Sequence, residues 1–407
     1  MMHSPLGGSA AERFIECPGS VSLVQAGVRQ PDGSTVPMQD DEDDTYSGPG
    51  TAAHALAAMC LDGGKEPWKY IGYKLSDGLL YSDNLFPVNS HNVDKEMADA
   101  VADYIATINR WHPADTRNQG NTFIERRFKC PDIHELFFGT SDFIHIDGDG
   151  VLHVWDFKYG AGVVVEPEHN AQLMYYAVGA MEDLGLWSYI DLVRVHIFQP
   201  RAWHSDGPHR SWKTTTDDLV TWLDETLLPA MERALTDETT KAGEHCRFCP
   251  VRFYGCPALM KDADELEGLM DEAKKKGVPA LANAEVCRIL DLGRTFLIQK
   301  KAALSTATAR AEQGVELPGW KLAKKRSNRE FRAEAATEAF KKWGDRAMTK
   351  PSLKSPAQIE KLPGGKDFNA EFAFKPDTGT TLVPDTDTRE KVTKEKASKV
   401  FKDERKR

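Results

Sequence analysis

A pair of apolar segments joined by a short Gly-rich turn constrains the fold of this 407-residue chain more than any other feature. The segments 137–146 and 151–158 are rich in Phe, Ile, Val and Trp, and the Asp-Gly-Asp-Gly between them is typical of a hairpin. If the last three of these residues form the loop, with Gly150 left-handed, Asp142 lies directly opposite Asp156. Opposed side chains have Cβ atoms about 4.5–5.5 Å apart. Two carboxylates at that distance repel each other unless a cation or a proton lies between them, so the hairpin predicts a metal site.

The same strand places a lysine beside the second carboxylate. Side chains alternate along a strand, so Asp156 and Lys158 share one face while Phe157 points into the core. On the preceding strand, Glu125 is interpreted as an ordinary strand residue, and a role in orienting a substrate or a second metal is the less favoured alternative.

Four short elements follow one another with regular spacing: Gly50 to His54 on an Ala-rich helix, Gly139 to Asp142 and Asp156-Phe157-Lys158 on the two strands, and Gln172 to Tyr176 on a later helix. Their order over residues 50–180 resembles the PD-(D/E)xK nuclease superfamily, specifically its RecB-like branch. Alanines stand at 57 and 58, where that branch usually has an acid after the histidine.

The resemblance implies a metal-dependent DNA nuclease, and it favours an exonuclease that acts on DNA ends in phage-type recombination or replication. The implied ligands of Mg²⁺ or Mn²⁺ are the side chains of His54, Asp142 and Asp156 and the carbonyl of Phe157. Lys158 would hold the attacking water or help to deprotonate it. The implied catalytic set also contains Gln172 and Tyr176, which would contact the DNA backbone or support Lys158.

Two other functions stay open from the sequence. One is a non-catalytic DNA-binding or assembly protein that keeps the nuclease fold, and the other is a nuclease of the CRISPR-adaptation type. In the recombination setting a single-strand DNA annealing or binding protein is a plausible partner, and the sequence leaves the oligomeric state open.

Three closely spaced cysteines follow the predicted nuclease core. The spacing of Cys246, Cys249 and Cys256 needs a fourth ligand, and Cys17 precedes the core. This layout resembles the iron–sulfur subset of RecB-like nucleases, in which one N-terminal and three C-terminal cysteines bind a [4Fe–4S] cluster. Structural Zn²⁺ is the alternative, with His245 as a substitute ligand.

The predicted fold class is α/β, with a central mixed sheet flanked by helices and a helical, partly disordered C-terminal extension. The pattern predicts helix, three strands, helix and strand in that order, in the ranges Asn92–Trp111, Thr122–Phe128, the hairpin, Pro167–Leu184 and Ile190–Phe198. The predicted domains are a nuclease domain over 1–260, a helical region over 261–349 and a basic, flexible tail over 350–407.

Charge is spread unevenly over the chain. Residues 321–407 carry 23 Lys and Arg against 14 Asp and Glu, a net +9, whereas the remainder carries 29 against 48. The basic C-terminal part would relieve repulsion of DNA, or it is a solvated terminus. No stretch reaches the ~18–20 apolar residues of a membrane span, and no signal-peptide core is visible, so we expect a cytoplasmic protein, in a bacterial host cell if phage-encoded.

Overall fold

The computed structural model describes residues 4–29, 35–36, 44–76, 79–81, 90–161, 163–324, 330–331, 335–349, 352–353, 356–374, 380–384 and 389–391. The chain divides into two compact units, Met1–Gln299 and Lys300–Arg407.

Along the chain, the helices that begin in the first unit lie before, between and after the strands of a central sheet. They are α1 (Ala11–Glu16), α2 (Gly19–Ala26), α3 (Asp44–Gly63), α4 (Lys95–Trp111), α5 (Ala171–Asp183), α6 (Thr216–Trp222), α7 (Leu228–Thr236), α8 (Pro257–Lys276) and α9 (Asn283–Glu312). A π-helical segment, Leu223–Leu227, joins α6 to α7. Short 3-10 turns lie at Gly8–Ala10, Pro67–Tyr70, Ala114–Thr116, Glu244–Phe248, Pro250–Phe253 and Val278–Ala280.

Five strands form the central sheet: β1 (Thr122–Lys129), β2 (Phe138–Ile146), β3 (Val151–Phe157), β4 (Leu192–Phe198) and β5 (His209–Thr215). Their spatial order is β5-β4-β3-β2-β1, and only the β3–β4 pair is parallel. A parallel pair needs a crossover connection, which α5 supplies. Outside this sheet, short strands lie at Val28–Arg29, Thr35–Val36, Lys74–Ser76, Leu79–Tyr81 and His91–Asn92.

Two helices that flank the sheet, α4 and α5, begin at capping residues, and α4 buries one apolar stripe. Asp94 accepts a hydrogen bond from the backbone N–H of Met97 at 2.8 Å at the start of α4, and Asn170 accepts one from Leu173 at 3.1 Å at the start of α5. Such caps satisfy N–H groups that the first turn leaves unpaired. On α4 the buried residues follow helical spacing, with Met97, Val101, Tyr104 and Ile108 on one face.

The hairpin between β2 and β3 forms as the sequence predicts. Asp147 and Val151 close a three-residue loop in which Gly150 has a φ of 74°, and the Asp147 side chain accepts hydrogen bonds from two loop N–H groups. The register pairs Phe143 with Trp155, so the next position along places Asp142 opposite Asp156. The predicted register of the two carboxylates is confirmed.

The sheet has a hydrophobic core on each face. On one face Ile144, Val154 and Val195 pack with α5 and α7, and on the other Phe157 and Trp155 pack with α3 and α4. Phe157 is completely buried, and its ring stacks on Tyr104 with centroids 4.7 Å apart. Burial of such a side chain contributes about 1.5–3 kcal/mol. The residue between Asp156 and Lys158 is therefore firmly anchored, as predicted.

The predicted order of helices and strands is confirmed, but the fifth strand is absent from the prediction. β5 reads His-Arg-Ser-Trp-Lys-Thr-Thr and lies at the sheet edge with an exposed face, so its sequence lacks the apolar alternation of a buried strand. The π-helical segment lies just before Pro229 and divides the helical residues after β5 into α6 and α7. Among the described residues, no helix is long and apolar enough to cross a membrane.

The second unit contains three further helices and several short strand pairs. The helices are α10 (Ala335–Trp343), α11 (Pro356–Ile359) and α12 (Gly365–Phe372), and a 3-10 turn follows at Gly344–Ala347. The antiparallel pairs are Trp320–Lys324 with Thr380–Pro384, Glu330–Phe331 with Ala373–Phe374, and Met348–Thr349 with Ser352–Leu353.

Several of these elements lie in the segment from residue 350 that the sequence predicts to be a flexible tail. There Ile359 and Phe368 pack with Trp343 in a small core, and the flexibility of the tail stays a prediction. Most of the predicted tail beyond residue 384 lies outside the described residues. The predicted boundary after residue 260 falls inside α8, and the compact units divide after Gln299.

Candidate active site

The predicted site residues come together where β3 ends, beside the middle of β2 and next to α3 and α5. His54 lies on α3, which extends further in both directions than the Ala-rich stretch in the sequence suggests. Its Nδ1 lies 3.2 Å from Oδ1 of Asp142. The other carboxylate oxygen of Asp142 accepts a hydrogen bond from the backbone N–H of Phe157 at 2.7 Å. Asp142 therefore links the helix that carries the histidine to the strand that carries Asp156.

The pKa values of His54 and Asp142 reflect the opposite charges of the two side chains. Burial alone would lower the pKa of His54, but the charge of Asp142 and the hydrogen bond to it outweigh burial and raise that pKa to about 9. Burial would raise the pKa of Asp142, and the charge of His54 together with two hydrogen bonds lowers it instead. In the absence of a metal ion the pair is thus an imidazolium and a carboxylate at neutral pH.

Asp156 is almost completely buried and incompletely paired. Its side chain is 3% exposed, and its Oδ2 lies 3.1 Å from Nζ of Lys158 without the geometry of a hydrogen bond. Burial and, more weakly, the charge of Asp142 raise the pKa of Asp156 against the opposing charge of Lys158. A buried carboxylate oxygen that has no donor among the described residues is costly, and a cation would offset that cost.

A chain of hydrogen bonds holds the lysine in place. Nζ of Lys158 donates to Oε1 of Gln172 at 2.7 Å, and Nε2 of Gln172 donates to the hydroxyl of Tyr176 at 3.0 Å. Gln172 and Tyr176 are one turn apart on α5, so both face the end of β3. Burial raises the pKa of Tyr176, which keeps its hydroxyl neutral. Of the two roles that the sequence allowed for Gln172 and Tyr176, the geometry matches support of Lys158.

The structure adds Glu125 to the site. One ligand atom from each of His54, Glu125 and Asp142 lies within 4.8 Å of the other two. The pairing of β1 with β2 is regular on both sides of Glu125, which has a φ of 48° and lies opposite Asp142. Although Glu125 is exposed, partial desolvation and the charge of Asp142 raise its pKa to about 7. Glu125 is therefore a candidate site residue, which the interpretation as an ordinary strand residue did not include.

These donors fit a hard divalent cation. The three grouped side chains offer one imidazole and two carboxylates, and Asp156 on the adjacent strand offers an oxygen that accepts no hydrogen bond among the described residues. Oxygen ligands with a single imidazole suit Mn²⁺ and Mg²⁺. The backbone N–H of Phe157 is committed to Asp142, and the role of its carbonyl as a ligand stays a prediction.

A comparison with protein families gives a match over most of the chain. A family model described as a protein of unknown function (DUF2800) matches residues 3–390. The chain belongs to the DUF2800 family. The match includes every residue of the candidate site and extends through both compact units. For this DUF2800 protein the activity is therefore inferred from the geometry of the site.

The cysteines of this DUF2800 protein lie away from the carboxylates. Cys246, Cys249 and Cys256 are buried in one small core with Val251, and Sγ of Cys17 accepts a hydrogen bond from the N–H of Lys241 at 3.3 Å. Burial raises the pKa of Cys246 to about 12, and the charges of the other three thiols raise it as well. Two sets of three possible ligands lie within 4.8 Å among the described residues, and neither contains a cysteine.

Proposed function

We propose that this DUF2800 protein is a metal-dependent DNA nuclease of the PD-(D/E)xK type, RecB-like branch, and that it degrades DNA from its ends in phage-type recombination or replication. The observation that carries the proposal is the convergence of His54, Glu125 and Asp142 beside the Asp156–Lys158 pair. Three carboxylates, one cation and one histidine form a donor set that suits metal-dependent phosphodiester hydrolysis.

The side chains divide the chemistry between them. Glu125, Asp142 and His54 would hold Mg²⁺ or Mn²⁺, with Asp156 completing the acidic set. When bound, such an ion lowers the pKa of water and neutralises charge on the scissile phosphate. Lys158, fixed by Gln172, orients a water molecule and offsets negative charge on the phosphate. The low pKa of Asp142 keeps a carboxylate ready for the cation at neutral pH.

The activity is tested with purified protein and DNA of defined form. Linear and circular duplexes are incubated with Mg²⁺, with Mn²⁺ or with a chelator, and degradation is followed on gels. We expect digestion of linear but not circular duplex in the presence of either metal. Digestion of both would indicate an endonuclease, and the absence of metal-dependent cleavage of any DNA form would refute the proposed function.

Variants assign the activity to this site. Asp156→Ala and Lys158→Ala should each lower the cleavage rate by about 10²-fold or more, because the first removes an acid of the proposed metal site and the second removes the cation that offsets charge on the phosphate. Lys213→Ala is the matched control, since Lys213 is an exposed lysine on β5, which is an edge strand of the same sheet. Wild-type rates from Asp156→Ala or Lys158→Ala would place the site elsewhere.

We further propose that Cys17, Cys246, Cys249 and Cys256 bind a [4Fe–4S] cluster. Four thiolates on one tetrahedral Zn²⁺ lie about 3.8 Å apart, given a Zn–S distance of ~2.3 Å. A cluster of four irons is larger and holds its thiolates further apart than one zinc ion does. That wider spacing agrees better with described thiols of which no three lie within 4.8 Å of one another. Protein purified without oxygen should be brown and contain iron and sulfide, and Cys17→Ser should lose both. Colourless protein with stoichiometric zinc would reject the cluster.

A further inference from the structure

A group of buried histidines lies on the face of the sheet opposite Asp156. His112 follows the last residue of α4, His153 lies on β3 and His196 lies on β4. Each is at most 4% exposed, and one ring nitrogen of each lies within 4.8 Å of the other two. His153 precedes Asp156 by three residues, so the two lie about 10 Å apart along the strand and point to opposite faces. The histidine group is therefore separate from the candidate active site.

Hydrogen bonds fix which nitrogen of His153 carries its proton. Nε2 of His153 lies 3.0 Å from Oδ2 of Asp147, and its Nδ1 lies 2.9 Å from Nε2 of His196. Hydrogen bonds to backbone N–H groups and to His153 hold the pKa of Asp147 low against desolvation, so its carboxylate can only accept. Nε2 of His153 must then be the donor, and the lone pair of Nδ1 points into the group. A carboxylate behind a histidine is the usual arrangement of a metal-binding imidazole.

His112 is incompletely paired inside this group. Its Nε2 accepts a hydrogen bond from Nε1 of Trp155 at 3.1 Å, whereas its Nδ1 is buried and has no partner among the residues that the structure describes. An unpaired buried polar group costs about 1–3 kcal/mol. The His112 ring lies 4.5 Å from that of His153, centroid to centroid, so the unpaired imidazole belongs to the group itself.

The charges around the group favour neutral rings. Burial lowers the pKa of His112 to about 3 and also lowers the pKa values of His153 and His196. Neutral imidazole is the form that binds metals. Among the neighbouring charged groups, Asp147 would balance a bound cation, while Arg194 opposes one.

We propose that His112, His153 and His196 bind a transition-metal ion with a preference for imidazole, of which Zn²⁺ is the best example. Three imidazoles without a carboxylate in direct reach suit Zn²⁺, Cu²⁺ or Ni²⁺ rather than Mg²⁺. The 2.9 Å between the facing nitrogens of His153 and His196 is close to the roughly 3.3 Å between two ligands on a tetrahedral ion with metal–nitrogen bonds of ~2.0–2.1 Å. The ion would tie the end of α4 to β3 and β4.

Binding can proceed without net loss of a proton from the group. For Nε2 of His196 to bind the ion, its proton moves to Nδ1, which lies 3.0 Å from Nε2 of His209. Before binding, His209 donates its Nε2 proton to His196, so that proton moves to Nδ1 of His209 and its Nε2 then accepts. His112 carries its proton on Nδ1 because its Nε2 accepts from Trp155, and it gives up that hydrogen bond when it binds the ion. Each ring carries one proton before and after binding, so affinity for the ion should change little between pH 7 and pH 9, where all these rings are already neutral.

The test measures metal bound by the full-length protein. Protein is prepared without oxygen, treated with a chelator, supplied with saturating Mg²⁺ to fill the carboxylate site, and dialysed against Zn²⁺ or Co²⁺. His196→Gln should lose one equivalent of bound Zn²⁺ and the visible absorption of tetrahedral Co²⁺ relative to the wild type. His204→Gln is the matched control, because it removes a histidine paired with a surface carboxylate and should bind as the wild type does.

A second variant tests the site even if His196→Gln fails to fold. Asp147→Asn keeps the Oδ1 contacts of the hairpin loop but turns an amide N–H toward Nε2 of His153. The His153 proton then moves to Nδ1 and blocks the lone pair, so Zn²⁺ affinity should fall about 10–100-fold. Equal Zn²⁺ affinity and stoichiometry in the wild type and Asp147→Asn would overturn the proposal, whether or not the protein degrades DNA.

Discussion

Metal binding at the candidate active site should release protons, and the number follows from the structure. His54, with a pKa of about 9, is almost fully protonated at pH 7, and Glu125, with a pKa of about 7, is protonated about half of the time. A metal ion needs both ligands deprotonated, so Mn²⁺ binding at pH 7 should release about 1.5 protons per ion. Asp156, whose pKa is also raised, can only add to that number.

The number of protons released falls as the pH rises, while its sign stays the same. At pH 9 Glu125 has already lost its proton and His54 is half protonated, so release should fall to about 0.5 proton per ion. Apparent Mn²⁺ affinity should accordingly increase with pH across this range, because protons compete with the ion less and less.

The assay is calorimetric titration of Mn²⁺ in buffers with different ionisation enthalpies. The slope of observed heat against that enthalpy gives the protons released. In His54→Gln the release at pH 7 should fall to between about 0.5 and 1, since loss of the imidazolium also raises the pKa of Glu125 further. In Glu125→Gln it should stay near 1, because Asp142 still holds the His54 proton.

His204→Gln is the control here as well, because Nε2 of His204 lies 3.1 Å from Glu166 in a histidine–carboxylate pair outside the site. It should leave the release unchanged. A slope near zero for the wild type at pH 7, or an identical slope in His54→Gln, would refute the assignment of His54 as a metal ligand.

Three further changes test the framework of the site. Phe157→Ala should lower the free energy of unfolding by about 3–5 kcal/mol, measured by urea denaturation, because the ring is fully buried against Tyr104. Gly150→Ala should cost about 1–2 kcal/mol in the same assay, because a φ of 74° disfavours a Cβ atom. Gln172→Leu should slow DNA cleavage while leaving Mn²⁺ affinity unchanged, since it removes the acceptor that holds Lys158 but no metal ligand; a loss of Mn²⁺ affinity would contradict that role.

Local sequence patterns predicted the part of the site that is positioned by the short turn between β2 and β3. The loop between β2 and β3 has three residues, so its glycine fixes the pairing of Asp142 with Asp156. Lys158 follows from strand alternation alone. Gln172 and Tyr176 share a helix face, and their position beside Lys158 came only from a resemblance to a known family.

Glu125 and the histidine group depend on contacts between distant segments. Eight residues separate β1 from β2, and a connection of that length does not specify the register that brings Glu125 opposite Asp142. The hairpin register places His145, which lies beside the group, opposite His153, so only one member of the group has a histidine partner that the sequence could have shown. His112 and His196 join it through the packing of α4 and the parallel pairing of β4, which no local pattern encodes.

The three-residue loop at the tip of the hairpin gives this protein an unusual sensitivity to insertions and deletions. Exposed loop tips normally tolerate length changes well. Here one added or lost residue that shifted the pairing of β2 with β3 would turn every side chain of one strand to the opposite face. Asp142 and Asp156 would then be separated by the thickness of the sheet, although neither had been mutated. Among DUF2800 sequences, the length of this loop should vary far less than the identity of its residues.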